Sequence, residues 1–292
     1  FVISTDGLVL DFNGKTIPLR DCKITKITPG KCEVQIIPQI LEDRSHKTAK
    51  NLWIHLLGIF AHAAKANDLS HNPTRDLKFP KARKQKIKRL SREVVSELIQ
   101  NCGAAYKPII MFAAYTGLRF GEMAPLTWDD IDFEKNEINV DKALLKCGSV
   151  SLTKTESGER KVPIVPELRA MLLNHKIGQT FGRKNLVFPS TTGNMVLDSS
   201  NWRNRGVIKT IERLNKIREE NKQPLLPIIR FHDLRHFYAS VLVYEVDLSA
   251  SVVTRLMGHA DYGFTMKTYS HWFEDRDRDL KLGKKLAQVF SV

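Results

Sequence analysis

Cysteine is sparse in this sequence. The four present among 292 residues, Cys22, Cys32, Cys102 and Cys147, form no CxxC pair and no zinc-finger spacing, which argues against a disulfide framework and suits a reducing cytosol. Long apolar runs are missing as well: the longest, Ile109 to Tyr115, falls far short of the roughly 20 residues that cross a bilayer. The opening FVISTDGLVLDFNG lacks the basic-then-apolar order of a secretory signal. A soluble cytoplasmic protein with no membrane partner is expected. Acidic residues are in deficit, 32 against 46 Lys and Arg, giving a formal charge of +14 and a pI near 9.6. That balance points to a polyanionic partner, nucleic acid ahead of an acidic membrane. Neither an internal repeat nor a low-complexity tract is present. The 42% apolar content is ample for packed cores, and the length suggests two domains. Residue 1 is Phe rather than Met, so the chain is expected to be a fragment whose true N-terminus lies upstream.

Alternation in VIS, LVLDF and TIPL, with Asp6-Gly7 and Asn13-Gly14 as turn dipeptides, suggests a hairpin within residues 1–20. Helical period takes over from Arg44 to Asp68, where Leu52, Trp53, Leu56, Leu57, Phe60 and Ala64 make one face and Lys47, Lys50 and His55 fall elsewhere. Between Lys81 and Arg92, seven of twelve residues in KARKQKIKRLSR are basic and none is acidic. A basic run is ordinarily a solvated linker; at a domain boundary in a basic protein, phosphate contact by Lys81, Arg83, Lys84, Lys86, Lys88 and Arg89 is the better reading. The expected division is an N-terminal domain over 1–80, a linker over 81–90 and a second domain over 91–292 with a tail at 275–292.

Ser91 is a fair N-cap for a helix from Arg92 to Asn101, and a second helix from Ala104 to Thr116 stops at Gly117. The runs EINV, SVSLTKT and ERKVPIV read as an antiparallel three-stranded meander. Further helices are expected at Pro166 to His175, Ser199 to Ile217, His232 to Val243, Leu248 to Met257 and Asp275 to Phe290.

Several polar residues are ordinary when taken singly. His232 and Arg235, three apart on one helix face, would usually hydrogen-bond at a surface. Arg119 has a salt-bridge partner within reach in Glu122, Lys154 flanks a turn, His259 reads as a structural histidine and Tyr269 as an amphipathic residue at a domain edge. Their order changes the weighing. TGLRFGEM (Thr116 to Met123), SLTKTESGERKVPI (Ser151 to Ile164), HDLRHFYAS (His232 to Ser240), LMGHA (Leu256 to Ala260) and TYSH (Thr268 to His271) together resemble the tyrosine recombinase, or phage integrase, family over about residues 90 to 275.

The resemblance implies a mainly α fold with a small antiparallel β-sheet, a helical core-binding domain and a catalytic domain clamping double-stranded DNA. It implies Arg119 as the first catalytic arginine with Glu122 in support, Lys154 as the hairpin lysine, His232 and Arg235 as the HxxR pair, His259 as the second histidine and Tyr269 as the nucleophile. His259 and Tyr269 are ten residues apart where many members have one fewer, which leaves Tyr262 as a fallback nucleophile. A homotetramer on two duplexes and a monomer or weak dimer when free follow from the same likeness, in a bacterial cell and on a phage or other mobile element; whether DNA-bending and excision factors also take part is left open by the sequence. Two departures stand out: many integrases carry an additional arm-binding domain, and the helix that usually opens a core-binding domain is not found cleanly before Ile40.

The chemistry is consistent on physical grounds. Charge grows on a phosphodiester toward its pentacoordinate transition state, and two guanidiniums can each hold its nonbridging oxygens with paired hydrogen bonds. A tyrosine hydroxyl, with a reference pKa of about 10, must lose its proton during attack. His232 is the candidate for that proton, Lys154 for protonating the departing 5′ oxygen, and His259 for donating to a nonbridging oxygen. No metal, ATP or other cofactor is required. Rival readings are a type IB topoisomerase, a metallohydrolase built on His232, Asp233 and His236, and a catalytically silent DNA-binding protein. The tail LKLGKKLAQVF could pack on its own protomer or on a neighbour.

Overall fold

The computed structural model describes residues 8–12, 14–42, 44–82, 89–145, 147–152, 158–179, 185–190 and 202–273. Contacts divide the chain into two units, Phe1–Lys86 and Ile87–Val292.

In the first unit, strands β1 (Val9–Phe12) and β2 (Lys15–Pro18) form the expected hairpin, paired from Val9↔Pro18 to Phe12↔Lys15. Gly14 turns it at φ 83°, a conformation that glycine adopts without steric cost. A helix over residues 29–42 (α1) follows, with a π-helical middle at Cys32–Ile36. The sequence reading had no helix here, because Gly30, Pro38 and the β-branched Val34, Ile36 and Ile37 all lower helix propensity. Thr28 caps it by accepting from the Lys31 N–H, Pro29 sits in its first turn, and the wider π turn precedes Pro38, which has no N–H to contribute. Gln39 exchanges two hydrogen bonds with the backbone of Val9 (2.9 and 2.7 Å), and Gln35 accepts from the Asp11 N–H. These amides from α1 engage the backbone of β1 as another strand would. Helix α2 (His46–Lys65) buries Leu52, Trp53, Leu56 and Phe60 against Ile36 and Ile40, on the face its period indicates.

The second unit is mainly helical. Helices α3 (Arg92–Asn101) and α4 (Lys107–Thr116) lead through a short α5 (Phe120–Met123) into the strands. The strands do not form one meander. β3 (Ile131–Asp132), β4 (Glu137–Val140) and β7 (Arg160–Pro163) make a three-stranded sheet in that order, while β5 (Lys142–Leu144) and β6 (Val150–Leu152) pair separately as a hairpin. SVSL therefore pairs with KAL, a run without β-branched residues, and EINV pairs directly with RKVP in the register Ile138↔Val162. Beyond the sheet come α6 (Pro166–Ile177), α7 over residues 202–220 with a π-helical start at Trp202–Ile208, α8 (Phe231–Tyr244), α9 (Ala250–Met257) and α10 (Tyr262–Phe273). Phe112, Leu118, Ile138, Val162, Trp202 and Leu234 lie in one core, and Tyr238, Val253, Met257, Tyr269 and Trp272 in a smaller one between α8, α9 and α10. Helix α10 also escaped the sequence reading, since Gly263, Thr265, Thr268 and its aromatics are poor helix formers that tertiary packing overrides. The expected helix at Asp275 to Phe290, and the tail as a whole, lie outside the described residues. Among the described residues, no helix is long and apolar enough to cross a membrane.

Candidate active site

Two glycine turns set up the site. Gly117 ends α4 at φ 62°, where a Cβ would stand 2.3 Å from the Tyr238 ring, and Gly258 ends α9 at φ 61°, where a Cβ would stand 2.5 Å from Arg160 Nη1. At the end of α9 three successive carbonyls accept from three different guanidiniums: Leu256 from Arg160 Nε (2.9 Å), Met257 from Arg235 Nη2, and Gly258 from Arg119 Nη2 (3.0 Å). The last carbonyls of a helix lack intrahelical donors and carry the negative end of its dipole. One helix terminus thereby gathers the arginine that caps α5, one from β7 and one from α8.

Arg235 is 1% exposed and also donates from Nη1 to the Gly117 carbonyl at 2.7 Å, so it ties both turns together. Burial, followed by the positive charge of Arg119, pushes its pKa down to about 9, which leaves it cationic at neutral pH. Glu122 is the counter-charge. Its carboxylate accepts from Arg119 Nη1 (2.6 Å), Arg160 Nη2 (2.9 Å) and the Arg119 backbone N–H (2.9 Å). Burial alone would raise the Glu122 pKa, but the bonds and charges of Arg160 and then Arg119 outweigh it and hold the group below the ordinary carboxylate value. The salt bridge considered for Arg119 is thus present, yet the Arg119 side chain remains 41% exposed and can still meet a ligand.

Tyr269 is 1% exposed, stacked on Trp272 with ring centres 4.7 Å apart, and 6.3 Å from the His259 ring. The ten-residue step from His259 thus returns the tyrosine to its histidine across α10, whereas Tyr262, at the start of that helix, is 51% exposed. His259 Nδ1 is 2.7 Å from Thr265 Oγ1, which accepts in turn from Thr254 at 2.8 Å. In the tautomer in which Thr265 donates to Nδ1, the neutral ring carries its proton on Nε2 and can donate it to a phosphate. Burial, then Arg235 and Arg119, push His259 down to about 3.

The Tyr269 hydroxyl is bonded to His236, at 2.8 Å from Nδ1, and not to His232, the residue that the sequence reading gave its proton. His232 stands exposed, its ring centre 4.6 Å from that of His236, and its pKa is lowered by desolvation and then by Arg235 and Arg119. Sequence reasoning missed His236 as a partner of the tyrosine, although its spacing of four from His232 places it on the same helix face. It also missed Arg160, for which a basic residue opening a strand gives no signal of burial.

Lys154, Arg83, Lys84, Lys86 and Lys88 lie outside the described residues. Lys81 is exposed, and the Arg89 guanidinium sits over the Tyr244 ring at 4.7 Å. Asp233, the middle residue of the metal alternative, accepts from the Arg230 backbone N–H (2.8 Å) and its guanidinium (3.0 Å), and so caps α8. Among the described residues no group of three or more side chains could hold a metal ion. The arrangement offers two guanidiniums and an imidazole beside a phenol, a set able to neutralise a phosphodiester and attack it.

The phage integrase family model matches residues 88–276. A XerC-like tyrosine recombinase of Caldanaerobacter subterraneus subsp. tengcongensis is 29% identical over 262 residues, covering 79% of this chain and 63% of that protein. The ICEBs1 integrase of Bacillus subtilis is 27% identical over 242 residues, covering 81% and 64%. The chain thus spans somewhat under two thirds of the length of these relatives. Among solved structures, the Tn1549 transposon integrase in complex with transposon right end DNA superposes with a TM-score of 0.73 at 23% identity, over 91% of this chain and 87% of that one. A lambda integrase dimer bound to a COC′ core site gives a TM-score of 0.62 at 17% identity, over 88% and 67%. These two likenesses show the fold. The family match, which spans well over half of the chain, carries the conclusion: this chain belongs to the phage integrase family of tyrosine recombinases.

Proposed function

We propose that the chain is a site-specific recombinase that cleaves and rejoins double-stranded DNA through a 3′-phosphotyrosine on Tyr269. The gathering of Arg119 and Arg235 on the carbonyls that end α9, next to His259, whose ring centre lies 6.3 Å from that of the buried Tyr269, carries this reading. In it, the two guanidiniums hold the nonbridging oxygens of the scissile phosphate, His259 donates to one of them, and His232 contacts the same phosphate from its exposed position. Glu122 and Arg160 keep Arg119 in place, and Lys154 protonates the departing 5′ oxygen. The phosphotyrosine conserves the energy of the broken bond, so a second 5′-hydroxyl can reseal the strand without ATP, and no step calls on a metal.

The unit Phe1–Lys86 and the basic segment at 81–90 would add contacts to the DNA backbone. A lambda integrase tetramer has been solved on a Holliday junction, and a homotetramer on two duplexes is the assembly proposed for this chain. The ICEBs1 relative, together with a 30% identical transposase from transposon Tn916 of Enterococcus faecalis, supports a mobile element as the source of its DNA sites.

The test is a nicked duplex carrying the core site, incubated with EDTA. Wild type is expected to become covalently attached, and Tyr269→Phe to bind without attachment; an adduct that persists in this variant would sink the nucleophile assignment. Joining of strands between two duplexes distinguishes recombination from nicking and resealing of one.

A further inference from the structure

We infer that His236 takes the phenol proton of Tyr269 during strand cleavage and returns it during rejoining, a role that rests on the recombinase reading above. The geometry is specific. His236 Nδ1 lies 2.8 Å from the hydroxyl oxygen, and stacking on Trp272 fixes the direction of the phenol. Tyr269 is 1% exposed, so bulk water has little access to act as the base. His236 sits one helical turn beyond His232 on α8, which places it on the tyrosine side of the HxxR pair.

In the cleavage step the phenolic oxygen bonds to phosphorus, its O–H bond breaks, and the proton passes to the lone pair on Nδ1. The bond from phosphorus to the 5′ oxygen breaks with its electron pair on that oxygen, which takes a proton from a separate acid, proposed above to be Lys154. Rejoining reverses each transfer, and His236 ends neutral. Burial supports the need for a base, since it pushes the Tyr269 hydroxyl up to about 12 against the residual pull of Arg235 and Arg119. Burial, then the charge of His232, holds His236 near 4, so its ring is neutral and can accept. The other charged groups acting on it are Asp233, Arg235 and Arg230. A phosphate seated between the arginines brings negative charge that raises His236 and strengthens it as a base when substrate arrives.

Single-turnover cleavage of the nicked duplex, measured with the full chain, tests the role. His236→Ala and His236→Asn are expected to bind the duplex as wild type does and to form the adduct roughly 100-fold or more slowly. Their rates should rise in proportion to hydroxide, where wild type is nearly flat around neutral pH, and added imidazole should restore the alanine variant. An amide oxygen at Asn can accept the hydroxyl bond but cannot take the proton, so wild-type cleavage by His236→Asn would overturn the inference. Slow cleavage with the pH profile of wild type would also overturn it, as damage to the site without loss of a base. If wild type itself forms no adduct, the recombinase reading fails and takes this one with it; an active wild type with fast variants removes this role alone.

Discussion

The two units fill their interiors differently. Among the described residues of Phe1–Lys86 the buried side chains are apolar, including Leu10, Ile36, Ile40, Trp53 and Phe60, with Thr74 as the buried polar one. In Ile87–Val292 the buried residues include Glu122, Asp130, Arg160, Arg235 and His259. Removing an ion from water costs several kcal/mol even after relaxation, and a hydrophobic replacement is often as stable. A fold that accepts this cost repeatedly, and concentrates it at the end of α9, is not optimised there for stability, which fits the site proposed above. Among its described residues the first unit shows no such concentration.

The buried pair of Arg160 and Glu122 is where the comparison can be broken most sharply, because its side chains are 4% and 5% exposed. Arg160→Met strands Glu122 with Arg119 alone and is expected to destabilise the second unit by about 3–5 kcal/mol. Peptide-resolved hydrogen exchange in the full chain should show protection lost in β7, α8 and α9 and retained in α2. Adding Glu122→Leu should recover much of the stability while cleavage stays impaired, since Arg119 would have lost its carboxylate. Equal loss in both units would mean that the charges stabilise the whole chain and are not a local feature of the site.

Acid should separate the units next. His259 and His236 are held near 3 and near 4, against an ordinary value of 6.5. Between 6.5 and those values the unfolded chain binds protons that the folded site refuses, so stability falls as pH decreases through that window. Glu122 acts in the same direction lower down: its depressed pKa contributes stability above 4.5 that is lost as pH falls toward the folded value. Urea midpoints read by exchange in each unit should therefore drop more steeply with acid in the second unit, and His259→Gln should flatten the slope. Parallel slopes in the two units would contradict the assignment of the acid sensitivity to the site.

The elements legible in the sequence are those with local signals. Ser91, Gly117 and the apolar period from Leu52 to Phe60 each announce a boundary or a face, and the order of the TGLR, HDLR, LMGH and TYSH motifs announces the site. What was missed depends on contacts between distant segments. Nothing near Arg160 says that its guanidinium will reach Leu256, 96 residues away, and nothing near Tyr269 says that packing will draw Thr265 and Gly263 into a helix. The strand pairing failed for a related reason: β5, with Lys142, Ala143 and Leu144, is made of helix formers and becomes a strand through its pairing with β6.

The smallest effect supplies the control. Ser45 accepts from the Thr48 N–H at 3.2 Å at the start of α2, and Ser91 accepts from the Val94 N–H at 3.3 Å at the start of α3, the same device in each unit. Replacing either by alanine removes an acceptor from a helix terminus and should cost about 1 kcal/mol. Ser45→Ala should act in the first unit and Ser91→Ala in the second, by equal amounts in denaturant midpoints read by exchange. Helix ends are then equivalent in the two units, and the larger response of the second unit to Arg160→Met and to acid belongs to its buried charges. If Ser91→Ala proves several times more costly than Ser45→Ala, the second unit is simply more sensitive to any perturbation, and the contrast drawn from Glu122, Arg160 and His259 loses its force.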